Sequence, residues 1–356
     1  MRAAAVAALL LAVICGCSQQ KVEGSPSPSS PGTALPTGTT SGPPPASTGQ
    51  TSTGQTQTGD RYVALASAMH KRGVAIWWET DLVARWLEGP AAFDTAITRL
   101  GMLARAPGVV GFKISDEIGY EDGLGSQADA TRFLTQARTA LARVAPGKQL
   151  LVDAIVPELG CLPWRGTNQM DCAQRARLKY PAATAAAVEE YLRAKLIDRL
   201  DLSTGLLDES TYRTWSTTQH DAQADAWNHV KEQGWPKLTI LQARKALAEP
   251  NGYRGDAVQA AADVATYIDV PIGAGARAVD IWTWRQQYQG NTVSLLGSDL
   301  SPNPLWTALV QQRRRGAQLL THMRPSAMPT DQRSFDEECN LAASAFTAVF
   351  VAAGTG

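Results

Sequence analysis

Charge of one sign is what this chain lacks first: 33 Lys and Arg balance 33 Asp and Glu over 356 residues, for a formal net charge of zero. No basic stripe is present, which argues against nucleic acid as a partner. Histidine is scarce as well. His70, His220, His229 and His322 are scattered, with no paired-ligand spacing near the cysteines, so the sequence points to no metal site and to no cofactor. The apolar run Leu341 to Ala353 is too short to span a bilayer. What is present suits a packed globule: 44% hydrophobic and 19% charged residues.

The first seventeen residues read as an export signal. Arg2 is followed by an apolar run from Ala3 to Ile14, then Cys15, Gly16 and Cys17. One positive charge, a short hydrophobic stretch and a small residue before a cysteine form a cleavable leader. Ile14-Cys15-Gly16-Cys17 resembles a bacterial lipobox, which implies a signal peptide over 1–16, diacylglycerol on Cys17, and a protein tethered by lipid to the outer face of the cytoplasmic membrane. A soluble secreted protein cut near the same place is the alternative. Residues 17–60 are expected to be a disordered stalk. From Ser25 to Gly59 nearly every residue is Ser, Thr, Gly or Pro and none is charged, so too little apolar surface is available to offset chain entropy. As a random coil it would hold the remainder roughly 35 to 40 Å from its anchor.

With Cys15 removed and Cys17 lipidated, Cys161, Cys172 and Cys339 remain. Cys161 and Cys172 flank a short loop, and in an oxidising compartment the expected state is a disulfide, with two independent buried thiols as the alternative. Cys339 has no expected partner.

From residue 61 to 322, helical and strand patterns alternate. Apolar runs at Val74 to Trp78, Val109 to Ile114, Gln149 to Val156, Arg199 to Ser203, Lys237 to Leu241 and Ala276 to Trp284 are separated by amphipathic helical stretches. A final helix is predicted from Pro304 to about Leu320. Such alternation implies a parallel sheet covered by helices. The leading fold class is α/β, a (β/α)8-type TIM barrel, with an open parallel α/β sheet as the alternative. Side-chain alternation favours the barrel: Asp153, Asp201 and Asp280 each give their strand a polar face, which a barrel lumen tolerates near its C-terminal mouth. Six strands are clear; Leu82 to Leu87 and Thr292 to Leu296 are weak candidates for two more. The tail 323–356 is left without an assigned role.

Gly111-Phe112-Lys113-Ile114-Ser115-Asp116-Glu117 is a strand ending in an acidic pair, and Val279-Asp280-Ile281-Trp282-Thr283-Trp284-Arg285 is a strand carrying two tryptophans. The first resembles the acid/base strand of glycoside hydrolases of the large barrel clan, and the second is similar to that clan's last strand. The resemblance implies that Gly111 to Glu117 is barrel strand four and that a second carboxylate closes strand seven. Strand seven would then be Lys237 to Leu241, which runs into Gln242-Ala243-Arg244 and supplies no glutamate. Glycosidic cleavage needs one group to protonate the leaving oxygen and another to stabilise positive charge on the sugar. Glu117 is the candidate acid, with Asp116 beside it able to raise its pKa. Glu79, Asp153 and Asp280 are candidates for the second carboxylate. Trp77, Trp78, Trp164, Trp282 and Trp284 offer flat rings for sugar faces, with Lys113 and Arg285 as polar contacts.

The expected function is therefore carboxylate acid/base catalysis on a carbohydrate or cell-wall glycan. Two alternatives stand beside it: a non-catalytic carbohydrate-binding lipoprotein, and a lyase or aldolase forming a Schiff base on Lys113.

Overall fold

A computed structural model describes residues 54–166, 168–235, 237–243, 247–288 and 290–352. The expected signal segment, Cys17 and the stalk up to residue 53 lie outside the described residues. A helix, Gly54–Lys71, begins within the last part of the expected stalk. The unit from Gly59 to Gly356 carries the strands found among the described residues.

Among the described residues these are β1 (Ala75–Glu79), β2 (Val109–Lys113), β3 (Gln149–Ile155), β4 (Arg199–Ser203), β5 (Thr239–Ala243), β6 (Glu249–Pro250), β7 (Ala278–Tyr288), β8 (Asn291–Ser294), β9 (Leu319–Met323) and β10 (Ala348–Ala352). Eight of them, in the order β1-β2-β3-β4-β5-β7-β9-β10, are joined in parallel, and β10 pairs back to β1 through Trp77↔Phe350. The sheet is a closed (β/α)8 barrel. Strands β8 and β6 extend β7 on its outer side in antiparallel pairing.

Closure comes from the segment that the sequence left unassigned. The predicted helix to Leu320 ends at Arg314, and the chain then turns through Gly316 at φ 98, a left-handed conformation suited to glycine. Strand β9 follows. The apolar run after Leu341 is divided between the helix Gln332–Ala345 and β10. The barrel boundary at 322 is thus corrected to 352, and strand numbers shift with it. Val74 to Trp78 belongs to the first barrel strand, Gly111 to the second, Lys237 to Leu241 to the fifth and Val279 to Trp284 to the sixth. Of the weak candidates, Leu82–Glu88 is a helix, and Thr292 lies in β8, outside the barrel.

Period-two alternation divides the apolar side chains between two cores. Trp77, Leu151, Ile240, Ala278, Leu320, Ala348 and Phe350 fill the lower lumen. Ile76, Trp78, Phe112, Val152, Leu200, Val279, Val349 and Val351 face outward against the helices, meeting residues such as Phe133, Trp227 and Leu309. Gly111 makes the lumen packing possible: a Cβ there would meet the Trp77 ring at 2.4 Å and the Gln149 carbonyl oxygen at 2.3 Å. Helix starts are fixed by side-chain caps at Ser126, Thr184, Thr218, Asp256, Asn303 and Asp331.

Candidate active site

Directly above the apolar layer, the next inward position of most strands is charged. Glu79 follows Trp77, Lys113 follows Gly111, Asp153 follows Leu151, Asp280 follows Ala278 and His322 follows Leu320, while Asp201 lies in register with Asp153. Lys113 Nζ is 3.1 Å from Glu79 Oε1, 3.4 Å from Asp153 Oδ2 and 3.7 Å from Asp201 Oδ2. His322 Nδ1 is 2.9 Å from Glu79 Oε2, and its Nε2 is 2.7 Å from Asp280 Oδ2. The Glu79 side chain keeps 22% of its surface exposed, whereas those of Asp153, Asp201 and Asp280 keep none. Glu79 is therefore the face that this cluster presents to solvent.

Four carboxylates face two basic groups in a dry lumen, and their protons divide accordingly. Burial alone would raise the pKa of Glu79, but the charges of His322 and Lys113 overcome it and hold this carboxyl far below its usual range. Burial, with the Asp116 and Asp280 charges and against Lys113, pushes Asp153 up to about 8. Asp201 is also raised well above the carboxylate range, by burial and then by Asp280 and Asp153. Burial works against the charge on Lys113 and His322, yet their acidic neighbours prevail: Lys113 rises well above the usual lysine value and His322 to about 9. The layer thus combines an ionised carboxylate at its surface with protonated carboxyls beneath, a separation typical of acid/base sites.

This arrangement makes stability fall as pH rises. Asp153 and His322 bind their protons more tightly folded than unfolded, so folding takes up protons from about 3.8 to about 8 for the first and from 6.5 to about 9 for the second. Glu79 has the opposite sign: its contribution is complete above about 4.5 and is lost only in acid. Between about pH 6 and about pH 9 the unfolding free energy is expected to drop by on the order of 1 kcal/mol per pH unit. Asp153→Asn should flatten that slope in denaturant titrations; an equal slope in the variant would contradict the assignment.

The acidic pair lies just beyond the end of β2. Asp116 is half-buried and its charge acts on both Lys113 and Asp153. Glu117 is buried at 7% exposure, with φ 57. The left-handed region costs a side chain with a Cβ roughly 1–2 kcal/mol. Two backbone bonds hold the turn: Ile118 N–H donates to the Asp153 carbonyl (2.8 Å) and Tyr120 N–H to the Glu117 carbonyl (2.9 Å). Glu117 is thereby fixed next to the Asp153 backbone.

The expected aromatic contacts fare differently. Trp77 is lumen packing beneath the charged layer. Trp78 points outward, its Nε1 donating to the Leu103 carbonyl (2.9 Å). Trp284 also lies outside, because a register shift between Ile281 and Arg285 interrupts the alternation; it packs edge-on to Trp306. Trp284 Nε1 and Arg285 Nη1 each donate to Glu338 at 3.0 Å, so both are structural. Trp282 is half-buried, edge-on to Tyr288. Trp164 packs within its own aromatic cluster: it stacks on Trp215 at 5.4 Å and meets Tyr212 edge-on, with the Arg165 guanidinium 4.4 Å from the Trp215 ring centroid. The Cys161–Cys172 disulfide is formed, with a Cα–Cα distance of 5.6 Å. Cys339 is free and fully buried, and burial pushes its thiol up to about 12.

Two members of the layer are not among the site residues expected from the sequence. Asp201 enters there only as a polar position on its strand, and His322 as one of four scattered histidines. Both oxygens of the Glu79 carboxylate face the two cations, and Asp201, Asp280 and His322 come together from β4, β7 and β9, an encounter that linear spacing cannot show. The strand-end positions implied by the hydrolase clan are not those observed. Glu117 follows the second barrel strand, and the seventh, β9, carries His322 in place of a glutamate.

No family model matches the chain and no curated protein is similar to it in sequence. Solved structures with some similarity include the carboxyl transferase domain of Rhizobium etli pyruvate carboxylase, at 12% identity over 87% of this chain and 45% of that one (TM-score 0.37). The chain therefore spans less than half of that structure. A phosphonomutase-type protein from Burkholderia cenocepacia is 12% identical over 84% of this chain and 92% of that one (TM-score 0.34). A beta-glycosidase is 12% identical over 74% and 76% (TM-score 0.37). The barrel assignment rests on the strand pairing itself.

Proposed function

We propose that the barrel mouth is a hydrolytic site for a glycosidic bond, with Glu117 as proton donor and Glu79 as the ionised carboxylate. The observation that carries this reading is the state of Glu79: the most exposed carboxylate of the charged layer, held ionised by Lys113 at 3.1 Å and His322 at 2.9 Å. A fixed negative charge at the mouth stabilises the positive charge that develops on the sugar ring. Glu117 delivers its proton to the glycosidic oxygen as the bond breaks, and water supplies the hydroxyl that replaces the leaving group. The left-handed backbone at Glu117 supports its part, since strain of this kind is kept where position matters. Trp282 and Tyr288, both half-buried and edge-on to one another, offer aromatic surface on the sixth barrel strand. Lipid attachment at Cys17 would set this mouth against cell-wall glycan, the substrate class we assign.

The Schiff-base alternative loses support from the surroundings of Lys113. A nucleophilic amine must give up its proton, and the acidic surroundings of Lys113, above all the ionised Glu79 at 3.1 Å, hold this one charged.

The test is a panel of aryl glycosides and cell-wall polysaccharides offered to the wild-type chain, with aglycone or reducing-end release and calorimetric binding measured in parallel. Release is the expected result. Binding without release would favour a carbohydrate-binding lipoprotein, and neither would remove both readings.

A further inference from the structure

We propose that Asp201, Asp280 and His322 form a binding site for one divalent transition-metal cation of the zinc or manganese type, set in the charged layer beside Lys113. One ligand atom from each lies within 4.8 Å of the others. Tetrahedral ligands on a single zinc ion, each bound at about 2.0–2.2 Å, stand about 3.3–3.6 Å apart. His322 Nε2 and Asp280 Oδ2 already stand 2.7 Å apart, so the three groups reach a common ion once Asp201 closes on that pair by up to about 1 Å.

Asp201 gives an independent reason. It is fully buried, and among the described residues no N–H or hydroxyl donor reaches either carboxylate oxygen; its partners are the Asp280 carboxyl, with which it hydrogen-bonds only if a proton is shared, and Lys113 Nζ, 3.7 Å away. Its neighbour across the cluster is a second fully buried carboxylate, Asp280, one of whose oxygens likewise receives none. Two buried carboxylates side by side without donors are costly unless a proton or a metal ion lies between them. Lys113 is committed elsewhere, being closer to Glu79 and Asp153 than to Asp201.

The histidine is oriented for ligation. Glu79 Oε2 lies 2.9 Å from Nδ1 and accepts its proton in a hydrogen bond, which turns Nε2 toward Asp280. A carboxylate on the far nitrogen of a ligating imidazole is the usual means of fixing its tautomer. On binding, the cation takes the place of the Nε2 proton, which leaves to solvent. One nitrogen and several carboxylate oxygens suit zinc or manganese better than a soft ion such as Cu(I).

The inference does not rest on the hydrolytic reading, because its readout is binding. The full chain, stripped with chelator, is titrated with ZnCl2 by calorimetry. One zinc per chain is expected, with Kd on the order of micromolar or tighter. Asp280→Asn and His322→Gln should each weaken binding by more than the roughly 10–100-fold that loss of an outer partner costs, while His220→Gln, at an exposed site, leaves it unchanged. X-ray absorption on the zinc-loaded wild-type chain should show one imidazole nitrogen among oxygen ligands, and this measurement decides alone if a variant fails to fold by circular dichroism. No stoichiometric zinc binding, undiminished binding in both folded variants, or a zinc shell without imidazole would each overturn the proposal. A chain that cleaves glycosides without binding zinc refutes this site and leaves the hydrolase intact; one that binds zinc and cleaves nothing does the reverse.

Discussion

Replacing Lys113 with methionine is expected to destabilise the barrel by about 3–5 kcal/mol, the typical cost of removing one partner from a buried ion pair. Lys113 is fully buried, with Glu79, Asp153 and Asp201 all within 3.7 Å of its ammonium and the Phe350 ring centroid 5.2 Å away. Methionine fills similar volume, so the loss is electrostatic rather than a cavity. The four acidic groups of the layer, with Glu79 ionised, would then have His322 as their cation. The protein can answer only by taking up protons or admitting water, and both disturb the packed layer below, where Trp77 and Phe350 lie 6.4 Å apart. Unfolding in guanidinium at neutral pH measures the effect. Lys113→Met/Glu79→Gln, which removes the ionised partner at 3.1 Å together with the positive charge, should recover a large part of it. A double variant no more stable than the single one would show that Lys113 acts by packing, and the charge account of this layer would fail.

Much of this layer was legible because strands alternate. Lys113, Asp153, Asp201 and Asp280 stand on the lumen face where a period of two puts them, and charged residues in mid-strand were the sign of a barrel mouth. The same rule failed at Trp284, where the register shift after Ile281 turns the side chain outward; nothing in Ile281-Trp282-Thr283-Trp284 announces an irregular ladder. His322 was missed for a different reason. The helical pattern after Pro304 was carried through to Leu320, although three arginines followed by Gly316 form a stop signal, with basic residues and a left-handed glycine closing the last turn. Ending the helix there exposes Leu319-Leu320-Thr321-His322-Met323 as a strand and restores the missing closure. Convergence of Asp201, Asp280 and His322 was out of reach in any case. These residues are separated by tens of positions and meet only through barrel closure. Glu338, which clamps Trp284 and Arg285 from the helix Gln332–Ala345, was hidden in the same unassigned tail.

Glu117→Gln should separate the proton donor from the rest of the site through its dependence on the leaving group. Glutamine keeps the size of the side chain and can adopt the same backbone conformation, φ 57, at similar cost, so folding should be little changed. What is lost is the transferable proton. An alkyl glycoside or disaccharide, whose departing oxygen is strongly basic, should be cleaved about 10²–10⁴-fold more slowly, the usual contribution of general acid catalysis. A dinitrophenyl glycoside leaves without protonation and should lose less than about tenfold. The alkaline limb of the kcat/KM profile should disappear in the variant, because that limb reports the acid's deprotonation. Glu79→Gln is expected to behave otherwise: its ionised carboxylate serves both substrates, so both should slow together. Equal losses on the two glycosides in Glu117→Gln, or a retained alkaline limb, would take the acid's part away from Glu117. The next donor to examine would be Asp153, whose proton is held up to about pH 8 directly beneath the mouth.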